Sequence, residues 1–144
     1  MIQILIAPLA TAIIAQLIKF FIKGNGLKLN WQSFSSYAGM PSSHAAMAAS
    51  LMTSVGLTEG FDSPLFFVCI IFSFFIIRDA LGLRNYIGQN GQTLNSLIKN
   101  LSDNKIINLE KQPRLIEKVG HTPMQIIAGL ILGVLVSYLF FIAL

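Results

Sequence analysis

The chain has 144 residues, enough for one domain, and is 54% hydrophobic with only 11% charged residues. An ordinary soluble domain carries about 25% charged residues. At a mean hydropathy of +0.70 the chain has too little polar surface to coat its interior, which excludes a water-soluble globule and makes lipid the expected solvent.

Four apolar segments follow in chain order. Residues 2–22 match about one bilayer thickness in helical form. The segment lacks a basic start and its apolar stretch is longer than that of a signal peptide, so it reads as a retained membrane helix. Pro8 either bends it or marks its start. Residues 45–57 are shorter and only weakly apolar. The small side chains Ala45, Ala46, Ala48, Ala49 and Ser50 predict an interior helix shielded from lipid. Residues 65–77 are strongly apolar and contain the lone Cys69, which has no disulfide partner and reads as a small buried hydrophobe. This helix is predicted to continue through Arg78 and Asp79 toward Leu83.

Leu83, Ile87, Leu94, Ile98 and Leu101 then recur at helical spacing, which predicts an amphipathic helix against the membrane or the bundle. Gly88 and Gly91 weaken that reading. Residues 102–118 are polar and read as a loop with a second short helix. Residues 123–144 form a full span carrying Gly129-x-x-x-Gly133, read as tight packing within one chain rather than as a dimer contact. The fold class is therefore all-α: an integral membrane helical bundle of about four spans plus amphipathic or re-entrant segments, forming one membrane-embedded domain over residues 1–144.

The charges fix the expected topology. All ten Lys and Arg lie in three places: Lys19, Lys23 and Lys28 at the end of the first span and in its following loop; Arg78 and Arg84 at the end of the third; and Lys99, Lys105, Lys111, Arg114 and Lys118 in the long connection. The loop between the second and third spans carries Glu59 and Asp62 and no base. With four spans every basic group falls on one side. The positive-inside rule makes that side cytoplasmic and puts both termini outside.

At that interface the topology gathers Gln16, Lys19, Ser42, Ser43, His44, Arg78, Asp79, Arg84 and His121, including both histidines of the chain. Two of these sites are helix N-termini, whose free N–H groups and dipole favour an anion. Pro41 and Thr122-Pro123 are helix-start signals. Backbone N–H groups of Ser42 and Ser43, with Lys and Arg closing over them, suit a phosphate. Two imidazoles suit a two-step reaction: one attacks phosphorus, and the other protonates the leaving alkoxide and then deprotonates water. Fixed cations stabilise the charge on the equatorial oxygens. Only Asp79 stands beside the two histidines as a further ligand, so neither a metal nor a cofactor is expected. Each residue alone has a plainer reading: a histidine as a cap, Arg78–Asp79 as a structural ion pair, Lys23 and Lys28 as topology signals, Ser42 and Ser43 as N-caps. Their co-location on one face favours chemistry.

These strings resemble the type 2 phosphatidic acid phosphatase (lipid phosphate phosphatase) superfamily, and within it the small divergent branch of bacterial and plastid membrane proteins. The resemblance is carried by Gln16-x-x-Lys19, Gly39-Met-Pro-Ser-Ser-His44, Glu59-Gly-Phe-x-Ser-Pro64, Asp79-Ala-x-Gly-x-Arg84, Leu94-Asn95 and Gly120-His-Thr-Pro123 with Gly129 and Gly133. It implies His121 as nucleophile, His44 as general acid/base, and Lys19, Ser42, Ser43 and Arg84 around the phosphate, with Arg78 nearby. The superfamily's Arg-Pro pair is absent after Lys19, and Leu115 stands where its third motif has Arg, so Arg84 is expected to supply that charge. The largest departure is Gln125, where the superfamily has Asp and the branch Glu. A carboxylate there would orient His121. Gln125 can orient it only as a neutral acceptor, and Asp79 is the candidate replacement. The superfamily fold has six membrane helices; re-entrant pieces or a homodimer would make up the difference.

The expected function is a metal-independent membrane phosphatase that hydrolyses a lipid or isoprenyl phosphate through a phosphohistidine. The alternative is a noncatalytic lipid-phosphate binding or transport protein. Expected partners are membrane lipids and that substrate, with no nucleic acid. The expected location is the bacterial inner membrane, active face cytoplasmic. On this topology Lys111 is labelled by a membrane-impermeant amine reagent only from the cytoplasmic side; labelling in intact cells overturns the orientation.

Overall fold

The computed structural model describes residues 2–22, 39–106, 114–117 and 120–143. They form five helices and, among the described residues, no strand: α1 Gln3–Phe21, α2 Ser43–Glu59, α3 Pro64–Leu81, α4 Leu83–Asp103 and α5 Pro123–Ala143. Three helical stretches are long and apolar enough to cross a membrane: Gln3–Phe21, Pro123–Ala143 and the apolar part of Pro64–Asp103, which continues from α3 into α4. The protein is an integral membrane protein.

The fourth expected span, α2, is the axis of the bundle. α1, α3 and α5 all pack against it, and its Ala45, Ala46, Ala48, Ala49, Ser50, Ser54, Val55 and Gly56 are buried. Its weak apolarity follows from this position: surrounded by helices, it needs small contact faces rather than a greasy outer one. Lipid contact is left to the outer helices. On α3, Phe67, Val68, Ile71, Phe72, Phe74 and Phe75 are all exposed. In water such a patch would drive association; in a bilayer it is the solvated surface.

Glycines let α5 approach α2. A Cβ on Gly129 would strike the Ser42 carbonyl oxygen and lie 3.2 Å from the Ala45 Cβ. On Gly133 it would strike the Ala46 carbonyl oxygen and lie 2.8 Å from the Ala49 Cβ. The Gly129/Gly133 pair is thus spent within the chain, as expected. Deeper in the same seam, Thr11 donates to Ser50 (3.0 Å), Ser50 and Ser137 share a 2.6 Å hydrogen bond, and Ser54 donates to Ser137 (3.2 Å). This buried hydroxyl ladder joins α1, α2 and α5, with each such bond contributing about 0.6 kcal/mol in lipid.

Short polar caps turn the chain between helices. Ser42 caps α2 by accepting from Ala45 N–H. Ser63 caps α3, with Pro64 in its first turn, by accepting from Phe66 N–H at 3.2 Å. Gly82 separates α3 from α4 and donates its N–H to the Arg78 carbonyl.

The amphipathic helix is present as α4, and its Gly91 has a purpose that low helix propensity hides. Gly88 and Gly91 are its buried residues. A Cβ on Gly91 would lie 2.6 Å from the Ile116 carbonyl oxygen, because residues 114–117 retrace α4 at close range. Asn95 clamps that strand-like return: its Oδ1 accepts from Leu115 N–H (3.0 Å), and its Nδ2 donates to Leu115 O (2.9 Å) and Glu117 Oε1 (2.8 Å). α4 also runs further than expected, through Ser102 and Asp103, and residues 114–117 are not helical. The remainder of the segment read as holding a second short helix, with Lys111 and Lys118, lies outside the described residues, as do Lys23 and Lys28.

Gly133→Leu is expected to cost about 1–3 kcal/mol of bundle stability through overpacking against α2, read as a lowered unfolding midpoint in mixed micelles. Val134→Leu, on the exposed side of the same helix, is the control; equal effects from both would refute the seam.

Candidate active site

Five elements deliver side chains to one end of the bundle. Lys19 lies in the last turn of α1, His44 in the first turn of α2, Asp79 near the end of α3, Arg84 at the start of α4 and His121 two residues before α5. The acidic pair Glu59 and Asp62 lies at the other end of α2. Lys19 and His121 are the largest fully buried side chains, at 2% and 1% exposure.

His121 is held by its backbone. Its N–H donates to the Ala80 carbonyl at 3.2 Å. Its own carbonyl accepts from Asn85 Nδ2, which also donates to Leu81 O. Gly120 presses against Asn85, whose Cα would lie 2.9 Å from a Cβ there, so the glycine before His121 is needed for this contact. Asn85 was not among the residues singled out in the sequence; an amide beside Arg84 on a polar helix face carries no distinguishing pattern.

The His44 and His121 rings meet edge to face, with centroids 6.5 Å apart and planes at 77°. Both ring nitrogens of His121 are buried and without a hydrogen-bond partner among the described residues. Native proteins rarely leave a buried polar side chain so, because desolvation is uncompensated. Burial, and then the charges of Lys19, His44 and Arg84, push the His121 imidazole down to about 4. It is therefore neutral at physiological pH, under the positive fields of Lys19 and Arg84. Lys19 and Arg84 also act electrostatically on His44, and Asp79 acts on it with the opposite sign.

A model of the Divergent PAP2 family matches residues 2–136. The chain belongs to that family. It is also 36% identical, over 92% of its own length and 90% of the relative's, to the Uncharacterized membrane protein YuiD of Bacillus subtilis (strain 168). No solved structure matches the chain.

Against that family background, several expected roles change. Gln125 does not orient His121. Its Oε1 accepts from Thr122 N–H at 3.0 Å, while Thr122 Oγ1 accepts from Gln125 N–H at 3.4 Å. This reciprocal capping box at the start of α5 occupies the amide oxygen. Asp79 does not replace the absent carboxylate either: its Oδ2 accepts from Arg84 Nε at 2.6 Å, and it makes no hydrogen bond to His121. Asp79 pairs with Arg84 rather than with Arg78, which is exposed and lines a separate groove with Phe74, Ile77, Leu81 and Gly82; Arg78 is not brought to the histidines. The Ser42 N–H cannot hold a phosphate because it donates to the Gln125 carbonyl at 2.9 Å. Ser42 is a buried cap and a tie between α2 and α5. Ser43 instead lines a groove beside His44 and Gln16. The structure thus gathers His121, His44, Lys19 and Arg84 at one end of the bundle, with Asp79 bound to Arg84 and Ser43 lining the groove beside His44.

Gln125→Glu, which keeps a capping side chain, is expected to leave turnover of a phosphate ester within about twofold, whereas Gln125→Ala loses about 1 kcal/mol of stability with the cap bond. A large rise in turnover in Gln125→Glu would show that this position does act on His121.

Proposed function

We propose that this chain is a membrane phosphatase that hydrolyses a lipid or isoprenyl phosphate through a phosphohistidine at His121, at the cytoplasmic face of a bacterial cell membrane. The reading rests on one observation above all: a buried His121 with both ring nitrogens unpartnered among the described residues, its ring centroid 6.5 Å from that of His44. The charges of Lys19 and Arg84 reach both rings.

In the first step a neutral His121 nitrogen attacks phosphorus and the ester P–O bond breaks. His44 gives its proton to the leaving alkoxide. In the second step His44 takes a proton from water, the hydroxide attacks phosphorus, and the P–N bond breaks. Inorganic phosphate leaves and His121 is neutral again. Lys19, buried, and Arg84, part-buried, supply fixed positive charge to the phosphoryl oxygens. Asp79, bound to Arg84 Nε, holds the guanidinium in place.

A second reading, a noncatalytic lipid-phosphate binder, is favoured by one feature. Among the described residues no carboxylate hydrogen-bonds His121, so nothing anionic offsets positive charge developing on that ring.

Purified protein assayed for phosphate release from phosphatidic acid, phosphatidylglycerophosphate and isoprenyl phosphates separates the two. Under the phosphatase reading, His121→Ala abolishes turnover and His44→Ala lowers it about 10²–10⁴-fold. A 32P-labelled, acid-labile protein adduct forms in the wild type and not in His121→Ala. Tight binding with no turnover favours the binder. Because His121 reacts unprotonated, kcat/KM is expected to fall as pH drops through about 4. An acid limb that survives unchanged at neutral pH in all active variants would assign that titration to another group.

A further inference from the structure

Two grooves flank α1, and they differ in kind. The one between α1 and α5 is about 360 Å³ and is lined by apolar residues such as Ile18, Ile22, Leu132 and Leu135, with no titratable side chain. The one between α1 and α2 is about 290 Å³ and is lined by Ala12, Ile13, Gln16, Ser43, His44 and Met47. Its polarity is graded. Gln16, Ser43 and His44 lie at the charged end of the bundle. α1 and α2 run antiparallel there, so stepping back one turn from Gln16 reaches Ala12 and Ile13, and stepping on one turn from Ser43 reaches Met47. Both steps lead away from the cations into the apolar layer. Ile13 is 56% exposed on the outer surface of the bundle, so the groove opens sideways to lipid.

We infer that the α1/α2 groove holds the hydrocarbon chain of a phosphorylated lipid, which reaches His44 sideways from the bilayer and not from bulk water. The proposal rests on the phosphatase reading for its chemistry but locates the chain independently of it. The argument is complementarity along the groove. An amphiphile placed with its phosphate among His44, Lys19 and Arg84 leaves its chain against Ala12, Ile13 and Met47. In the α1/α5 groove the same chain would have no titratable group at hand for its head. Ala12 and Met47 thereby become determinants of chain preference, a role separate from the chemistry.

The first test compares kcat/KM for dioleoyl phosphatidic acid in vesicles with kcat/KM for soluble p-nitrophenyl phosphate. Filling the groove with Met47→Trp or Ala12→Leu is expected to lower the ratio of the two about tenfold, the loss of contact for a few methylenes. Leu132→Trp, in the other groove, is expected to keep the ratio within about twofold. An unchanged ratio in both groove variants, or a fall confined to Leu132→Trp, overturns the proposal. The second test does not require turnover. Phosphatidic acid carrying a chain diazirine is photolysed in vesicles with the protein, and the same chain on phosphatidylcholine measures general lipid contact. Excess labelling at Ile13 and Met47 from the phosphate lipid supports the groove; excess labelling at Ile131–Leu135, or none anywhere, overturns it. If the wild type hydrolyses neither substrate the phosphatase reading fails, and the photolabelling still decides where the chain lies.

Discussion

The close approach of α5 to α2 is the constraint on which the rest depends. Gly129 and Gly133 have no side chain to hold the helices apart, and α2 answers with Ala45, Ala46 and Ala49. The seam ends in a direct backbone bond, Ser42 N–H to Gln125 O at 2.9 Å. That bond locks the first turn of α2 to the first turn of α5. His44 is two residues beyond Ser42, and His121 is four residues before Gln125, so the two imidazoles are brought together by backbone packing. The same small residues that make α2 a poor hydrophobic span make it a good axis. In lipid, where apolar burial gives no net driving force between helices, such close contact and the Thr11–Ser50–Ser137 ladder have to supply the cohesion.

The electrostatics follow from this packing. Lys19 and His121 are buried beside each other's fields with Arg84 close by. A cluster of this kind costs free energy to assemble in an apolar layer. Asp79 offsets part of it by binding Arg84, yet that carboxylate stays off His121. The cluster is thus left with surplus positive charge beside a neutral imidazole. Under the proposed function, an arriving phosphate would satisfy that charge and meet a ring with no hydrogen-bond partner among the described residues. A carboxylate on His121 would weaken the first effect, so on the proposed function the capped Gln125 favours anion binding.

Much of this was legible in the sequence for physical reasons. Lipid solvent follows from 11% charged residues, the interior helix from a run of alanines, and the shared polar end from sorted charges. The two histidines are few enough that topology alone brings them to one face. What was not legible turns on which of two partners a polar side chain chooses. Gln125 is as able to reach forward to an imidazole as back to the Thr122 N–H, and only the path of the chain into α5 decides for the cap. Ser42 and Ser43 are adjacent and chemically identical, yet one is a buried cap and the other faces the groove. Asp79 stands next to Arg78 but bonds Arg84, because on a helix neighbours in sequence point apart, and the break at Gly82 brings Arg84 back toward α3. Gly88 and Gly91 count against a helix by propensity. Here Gly91 permits the close passage of residues 114–117, a long-range contact that no local window contains.

That returning segment also explains how an orientation without a carboxylate is achieved. Asn95 grips Leu115 on both backbone groups, Gly91 lets Ile116 pass, and Gly120 settles on Asn85, which binds the His121 carbonyl. The His121 N–H is taken by Ala80 at the end of α3. The backbone of the proposed nucleophile is therefore fixed from both sides by α3 and α4 before its ring makes any contact. A histidine positioned through its ring needs a polar partner at the second nitrogen, and that partner must itself be desolvated. A histidine positioned through its main chain needs none, and among the described residues neither ring nitrogen of His121 has one. The cost moves to the scaffold: Asn85 lies on α4, an amphipathic helix with an exposed apolar face including Leu83, Ile87, Leu94 and Leu97, so the placement of α4 sets that of Asn85 against Gly120 and through it the backbone of His121.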